Sequence, residues 1–174
     1  MAPPPGRLEA QNVRMSRPPE DDEHVLGPGL LPTPFTAAQI RASSRDGKLI
    51  RLLVESADGT VVERINRFRD ADDEGANLEQ WLSDAPDDAT TRRVTWLELQ
   101  SHAAFPTELT TVSTEVIELP LGRLECVRYD VIATDADPAA TFWFALAHPG
   151  MPVRYQTVTA SGRIRTTVTA ITSD

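Results

Sequence analysis

The stretch from Leu109 to Ile171 reads LTTVSTEVIELPLGRLECVRYDVIATDADPAATFWFALAHPGMPVRYQTVTASGRIRTTVTAI. It is a succession of extended segments broken by turn residues. Apolar and polar side chains alternate over Leu109 to Leu119, Leu121 to Ala133, Thr141 to Leu146, Val153 to Thr159 and Arg163 to Ile171. A period of two is the signature of a strand with one buried face. Pro120, Asp137-Pro138, Pro149-Gly150 and Ser161-Gly162 supply the breaks, and Ser161-Gly162 suits a tight hairpin. Strands joined by so few residues pair antiparallel, because parallel pairing needs a crossover of about a dozen residues or more. In Thr141-Phe142-Trp143-Phe144-Ala145-Leu146 the side chains of Phe142, Phe144 and Leu146 share a face. Burying them contributes roughly 5 to 9 kcal/mol before entropy is counted. Trp143 points the other way, either packing beneath a neighbouring element or lining an open concavity.

Upstream the same reasoning finds a hairpin. Lys48 to Glu55 and Thr60 to Phe68 flank the turn Ala57-Asp58-Gly59. Ala76 to Leu82 reads as a third extended piece, with Ala76, Leu78, Gln80 and Leu82 on one face and Trp81 on the other, although its length also fits a helical turn.

Two helix starts carry the same local signal. Thr36 caps the next turn while Gln39 reaches back, and Phe35 staples onto Ile40, so a helix runs to about Ala42. Thr95, Glu98, Val94 and Leu99 repeat the pattern across Trp96 to His102, and Pro106 ends that segment. The expected fold is mainly β (α+β): a curved antiparallel meander of about seven or eight strands, with two short helices, one of which covers the apolar face.

Eight of the 14 prolines fall within the first 34 residues, beside the acidic run Glu20 to Glu23. That composition buries little apolar surface, so residues 1–33 are expected to be a disordered tail, with a partner-binding segment around Val25 to Leu31 as the alternative. Residues 34–174 are expected to form one domain. A core of that size needs no covalent staple, and the single cysteine, Cys126, excludes an intrachain disulfide.

The formal net charge of -9, with arginines spread among acids and Lys48 the only lysine, argues against nucleic acid as a partner. No apolar run approaches the roughly 20 residues of a membrane span, and none follows Arg7 as an export signal would require, so the expected compartment is the cytoplasm.

Motifs for chemistry are few. His24 lies in the tail, His102 in the last turn of a helix and His148 in a turn. Cys126 between Leu124 and Val127 reads as a small buried hydrophobe rather than a thiolate paired with His102. Asp70 to Gly75 resembles the opening of a calcium loop, but its twelfth position is Trp81 where a bidentate carboxylate is needed, so it reads as an acidic hairpin end. Asp84 to Asp88 reads as a solvated acidic loop. No phosphate loop, zinc-protease helix or nucleophile elbow occurs, so neither a cofactor nor a metal is expected.

The order Glu118-Leu119-Pro120-Leu121-Gly122-Arg123-Leu124-Glu125-Cys126, then Thr141 to Ala145, then Pro149-Gly150-Met151-Pro152-Val153-Arg154, then a hairpin glycine at Gly162, resembles the uncharacterised bacterial DUF3108-type proteins and their relatives with a LolA-like half-barrel. The resemblance covers about the last 60 residues. It implies a curved antiparallel sheet wrapped over a helix, with a concavity that in the best understood members carries an acyl chain. Without an export signal, the lipoprotein-carrier role is not transferred.

The expected function is therefore a non-catalytic binding module, with Trp81, Trp96, Tyr129, Trp143 and Tyr155 as candidate residues around an apolar small molecule or a partner's segment. The alternatives are a structural protein whose groove is filled, and an enzyme assembled from scattered groups such as His102, Tyr129, Tyr155 and Arg154.

Overall fold

The computed structural model describes residues 22–173. Nine strands form one open antiparallel sheet: β1 (Lys48–Glu55), β2 (Val61–Arg69), β3 (Gly75–Leu82), β4 (Ala85–Thr95), β5 (Thr110–Leu119), β6 (Gly122–Val131), β7 (Ala139–Ala145), β8 (Arg154–Thr159) and β9 (Gly162–Ser173). Two short helices, α1 (Ala37–Ser43) and α2 (Trp96–Ser101), precede β1 and follow β4. The strand order is β4-β3-β2-β1-β9-β8-β7-β6-β5. Two hairpin-connected runs, β1 to β4 and β5 to β9, are thus joined by pairing of the first strand with the last. The chain passes from one edge of the sheet to the other through α2. The sheet curves strongly and does not close: β5 touches β9, which lies four places away in the strand order, while the edges β4 and β5 are not paired with each other.

The local signals act as the sequence suggests in most places. Thr36 and Gln39 form the reciprocal capping box of α1, and Phe35 and Ile40 are both buried. Thr95 accepts from the Glu98 backbone N–H at 3.0 Å, but the second half of that box is missing because the Glu98 carboxylate turns to Arg92 Nη1 at 2.7 Å. Gly59 and Gly162 occupy left-handed hairpin positions.

Several expectations are corrected. The sheet has nine strands rather than seven or eight, because Asp84 to Asp88 is no loop: Ser83-Asp84 makes a tight turn, and β4 begins at Ala85. Along β4 only Val94 is buried, so no inward periodicity marks it as a strand. Its Pro86, Asp87 and Asp88 are residues that blunt an exposed sheet edge. Leu146 lies beyond the end of β7 and is 48% exposed, so it does not share the burial of Phe144.

Of the tail expected over 1–33, residues 1–21 lie outside the described residues, and residues 22–33 are packed on the domain. Leu30 bridges to Pro106, the Leu31 N–H donates to Phe105 O at 2.9 Å, and Thr33 is buried. Gln100, itself buried, is the tie: its Nε2 donates to Glu23 O and Thr33 Oγ1, and its Oε1 accepts from the Ala37 N–H. The contact partners lie in α2, in the Phe105-Pro106 segment after it and, through the Tyr129 hydroxyl on Pro32 O, in β6, all far away in sequence, which is why composition alone suggested no order there.

Residues paired across a ladder point to the same side of a sheet. The register therefore puts Ile50, Phe68, Leu78, Tyr129, Phe142, Phe144 and Tyr155 on one face, beneath the helices. Trp81, Glu115, Ile117, Leu124, Cys126, Arg128 and Trp143 occupy the opposite face. Ile117, Leu124, Cys126 and Trp143 are buried there, so the β5–β7 end is apolar on both sides.

Candidate functional site

A cavity of about 240 Å³ lies between the helices and the sheet. Its floor is Ile50 from β1, Phe68 from β2, Phe142 and Phe144 from β7, and Tyr155 from β8. Its cover is Ile40 and Ser44 at α1, and Leu99, His102 and Ala103 at α2, while the loop Gly150-Met151-Pro152 borders one side. Sequence dictates this arrangement directly. Alternation aims Phe142 and Phe144 at the helices, and the N-caps Thr36 and Thr95 fix where α1 and α2 begin above them.

One residue in this wall is anomalous. Lys48 opens β1 on the same face as Ile50 and Leu52, and it is only 5% exposed. Its Nζ has two hydroxyl neighbours, Ser43 Oγ at 3.4 Å and Ser44 Oγ at 3.5 Å, both at the outer limit of a hydrogen bond. Burial pushes the ammonium down from 10.5 to about 8. No aspartate or glutamate lines the cavity among the described residues. The sequence carries a signal for it, a lone lysine in step with Ile50 and Leu52 on an otherwise apolar face.

Tyr155 stands at the other side of the floor. Its ring stacks on Phe142 with centroids 6.1 Å apart, and its hydroxyl accepts from Arg64 Nη2 at 3.2 Å. His102 caps the end of α2 and is exposed at the rim.

Of the five aromatic residues singled out in the sequence, Tyr155 alone lines this cavity. Tyr129 is on the same face but sealed into the core, with its hydroxyl donating to Pro32 O at 2.9 Å and its ring against Phe105 and Phe144. Trp96 is buried against Phe68, and its indole N–H donates to Asp72 O at 2.9 Å. Trp81 and Trp143 are on the opposite face, each beneath an arginine: Arg67 lies 5.3 Å and Arg128 5.2 Å from the ring centre. The three tryptophans therefore do not converge on one cavity.

The scattered groups weighed for catalysis are also kept apart. Cys126 is fully buried on the face away from His102, and desolvation pushes its thiol up to about 11. Arg154 pairs with Trp143 in register, also on that far face. At the acidic hairpin end, Asp72 accepts from the Glu74 and Gly75 N–H groups and meets Arg93, while Asp73 meets Arg41. Hydrogen bonds from the Gly75 backbone, then from Arg93, hold the Asp72 carboxyl down at about 2.

No family model matches the chain, and no curated protein matches it. Among solved structures, that of MucB is similar, with a TM-score of 0.53 at 11% identity over 77% of this chain. The match takes in 55% of MucB, so this chain spans little more than half of that protein's length. A Bacteroides fragilis protein with a YmcC-like fold, described as exported, gives a TM-score of 0.45 at 13% identity, covering 75% of this chain and 97% of its own. The likeness to MucB is one of fold.

Proposed function

We propose that this protein is a non-catalytic binding module that holds the apolar part of a small molecule or of a partner's segment in the cavity beneath α1 and α2. The observation that carries this reading is the cavity itself. It is walled mainly by Ile40, Ile50, Phe68, Leu99, Phe142 and Phe144, with a few polar groups at its margin. An apolar concavity with sparse convergent polar groups is the usual form of a ligand site. Its 240 Å³ falls just below the ~300 Å³ at which such sites commonly begin. A compact ligand, or one end of a longer one, fits that volume. Met151, an adaptable side chain beside the cavity, lets the wall adjust.

The enzyme reading has less support, because Tyr129 and Tyr155 spend their hydroxyls on Pro32 and Arg64, and Cys126 faces away. A purely structural role leaves the cavity without a purpose. The LolA-like resemblance of the last strands supports the same choice. Native mass spectrometry of the protein purified from its own host tests it: added mass released on denaturation is the expected result. A clean apo mass after gentle purification, together with no methyl shift at Met151 on titration with medium-chain apolar probes, would overturn it.

A further inference from the structure

We propose that the ligand is a carboxylate-headed amphiphile whose head pairs with the Lys48 ammonium while its apolar tail lies on Ile50, Phe68, Phe142 and Phe144. The inference rests on the cavity being a binding site and adds the chemical class of what it binds. Its basis is a buried cation that has no carboxylate beside it among the described residues. Lys48 is 5% exposed and touches two hydroxyls at the limit of hydrogen bonding. The arginines Arg51, Arg67, Arg92 and Arg128 each stand beside a carboxylate at the surface. Lys48 is at the cavity wall instead, where no acid is present among the described residues. A buried charge is costly unless it is paired, and a ligand carboxylate arriving beside Nζ supplies the missing partner.

The neighbours sharpen the chemistry. The other titratable groups facing the cavity are His102 at the rim and Tyr155, whose hydroxyl is held by Arg64. Neither is a carboxylate, and the group that holds Tyr155 is an arginine. The site therefore favours an anion inside a chain of net charge -9. A single ammonium matches the single charge of a carboxylate better than a phosphate monoester, which carries about -1.5 to -2. An uncharged head leaves Lys48 unpaired, and a cationic head is repelled by it, so the expected order of affinity is acid, alcohol, amine.

Calorimetric titration of the full chain at pH 7 with decanoate, 1-decanol and decylamine tests this order. Decanoate should bind at least about tenfold tighter than decanol. Lys48→Met should remove that preference while leaving decanol affinity within about threefold. Because the sequence holds one lysine, its ε-carbon gives a single NMR signal after lysine labelling. That signal's titration midpoint should move to higher pH on saturation with decanoate and stay in place with decanol. Equal binding of decanoate and decanol, a preference that survives Lys48→Met, or an unmoved midpoint would overturn the head-group pairing and leave the cavity reading standing. Failure of all three probes to bind the wild type would overturn the head-group pairing, and together with a clean apo mass it would overturn the cavity reading as well.

Discussion

Trp143 donates its indole N–H to Glu115 Oε2 across 2.8 Å, joining β7 to the edge strand β5 over the intervening β6. The bond from Trp143, and then that from Arg128, holds the Glu115 carboxyl below its ordinary value. Arg128 also lies over the indole ring, so the tryptophan fills a structural position on the face away from the cavity. Trp143→Phe keeps most of the buried area and removes the N–H. Its expected cost is about 1 kcal/mol in urea unfolding, with ligand affinity unchanged. A loss of binding without a loss of stability would return Trp143 to the site.

Lys48 gives the protein a pH dependence whose sign follows from its lowered value. Between about 8 and 10.5 the unfolded chain carries a proton that the folded chain lacks, so stability rises with pH across that window. Below about 8 the full penalty is present, about 3 kcal/mol. Lys48→Met is therefore expected to be more stable than the wild type at pH 7 by up to that amount, with the difference closing as pH approaches 10.5. Urea midpoints of both proteins at pH 7 and pH 10 decide it, and a variant that is less stable at pH 7 contradicts the buried-charge account.

Cys126 supplies a chemical check on the face assignment. Burial holds its thiol at about 11, so the thiolate is scarce at pH 8 and the sulfur is enclosed. The folded protein should resist alkylation and disulfide exchange at that pH, while the urea-unfolded chain reacts at once. Rapid modification of native protein would revive the cysteine as a nucleophile.

The period of two after Pro106 was enough to read β5 to β9, although β6 and β7 bury side chains on both faces, because the intervening breaks carry Pro120, Asp137-Pro138, Pro149-Gly150 and Ser161-Gly162. The cap of α1 was equally local. What could not be read depends on partners distant in sequence. β4 is an edge strand with one buried residue and so has no periodic signature. The direction of Trp143 followed from the pleat, but its partner Glu115 could be known only from the register of three strands. Tyr129 looked available for a ligand because nothing local shows that Pro32 returns to accept its hydroxyl. The pleat placed Phe142 and Phe144 on one face, whereas the cavity they line, with Tyr155 alone of the five aromatic candidates and with no acid in its lining among the described residues, required the packing of both helices on the sheet.

Gly75 marks the place where α2, β3 and β4 are held together. A Cβ there would sit 2.0 Å from Val94 O and 2.9 Å from Thr95 Cα, both backbone atoms that cannot swing away. Gly75→Ala is expected to cost about 3 kcal/mol or more and to loosen the pairing of β3 with β4. Hydrogen exchange should show lost protection along Ala85–Thr95 with little change in β6 and β7. An alanine variant of wild-type stability would mean that this edge is not held as closely as described.

Gln100 is the most consequential polar side chain away from the cavity, because its amide serves three segments at once. Its Oε1 accepts from the Ala37 N–H at 2.8 Å, and its Nε2 donates to Glu23 O at 2.7 Å and Thr33 Oγ1 at 2.9 Å. It is 2% exposed, so water cannot readily replace it. Gln100→Ala leaves the Ala37 N–H without its acceptor and the Glu23 carbonyl without this donor, while the Thr33 hydroxyl keeps His24 O and Phe35 O as acceptors; a buried group left unpaired costs about 1 to 3 kcal/mol. The expected loss is at least about 2 kcal/mol, with amide exchange accelerated over residues 24–33 and in the first turn of α1. Gln100→Glu at neutral pH separates the two functions of the amide: the oxygen still accepts from Ala37, but the donors to Glu23 and Thr33 are gone and a buried charge appears. Both variants should release the 24–33 segment. If neither does, the packing of that segment rests on its other contacts, Leu30 with Pro106, Gly29 O with the Thr107 N–H, Leu31 with Phe105 and Pro32 O with the Tyr129 hydroxyl, and Gln100 is not the tie that its three hydrogen bonds indicate.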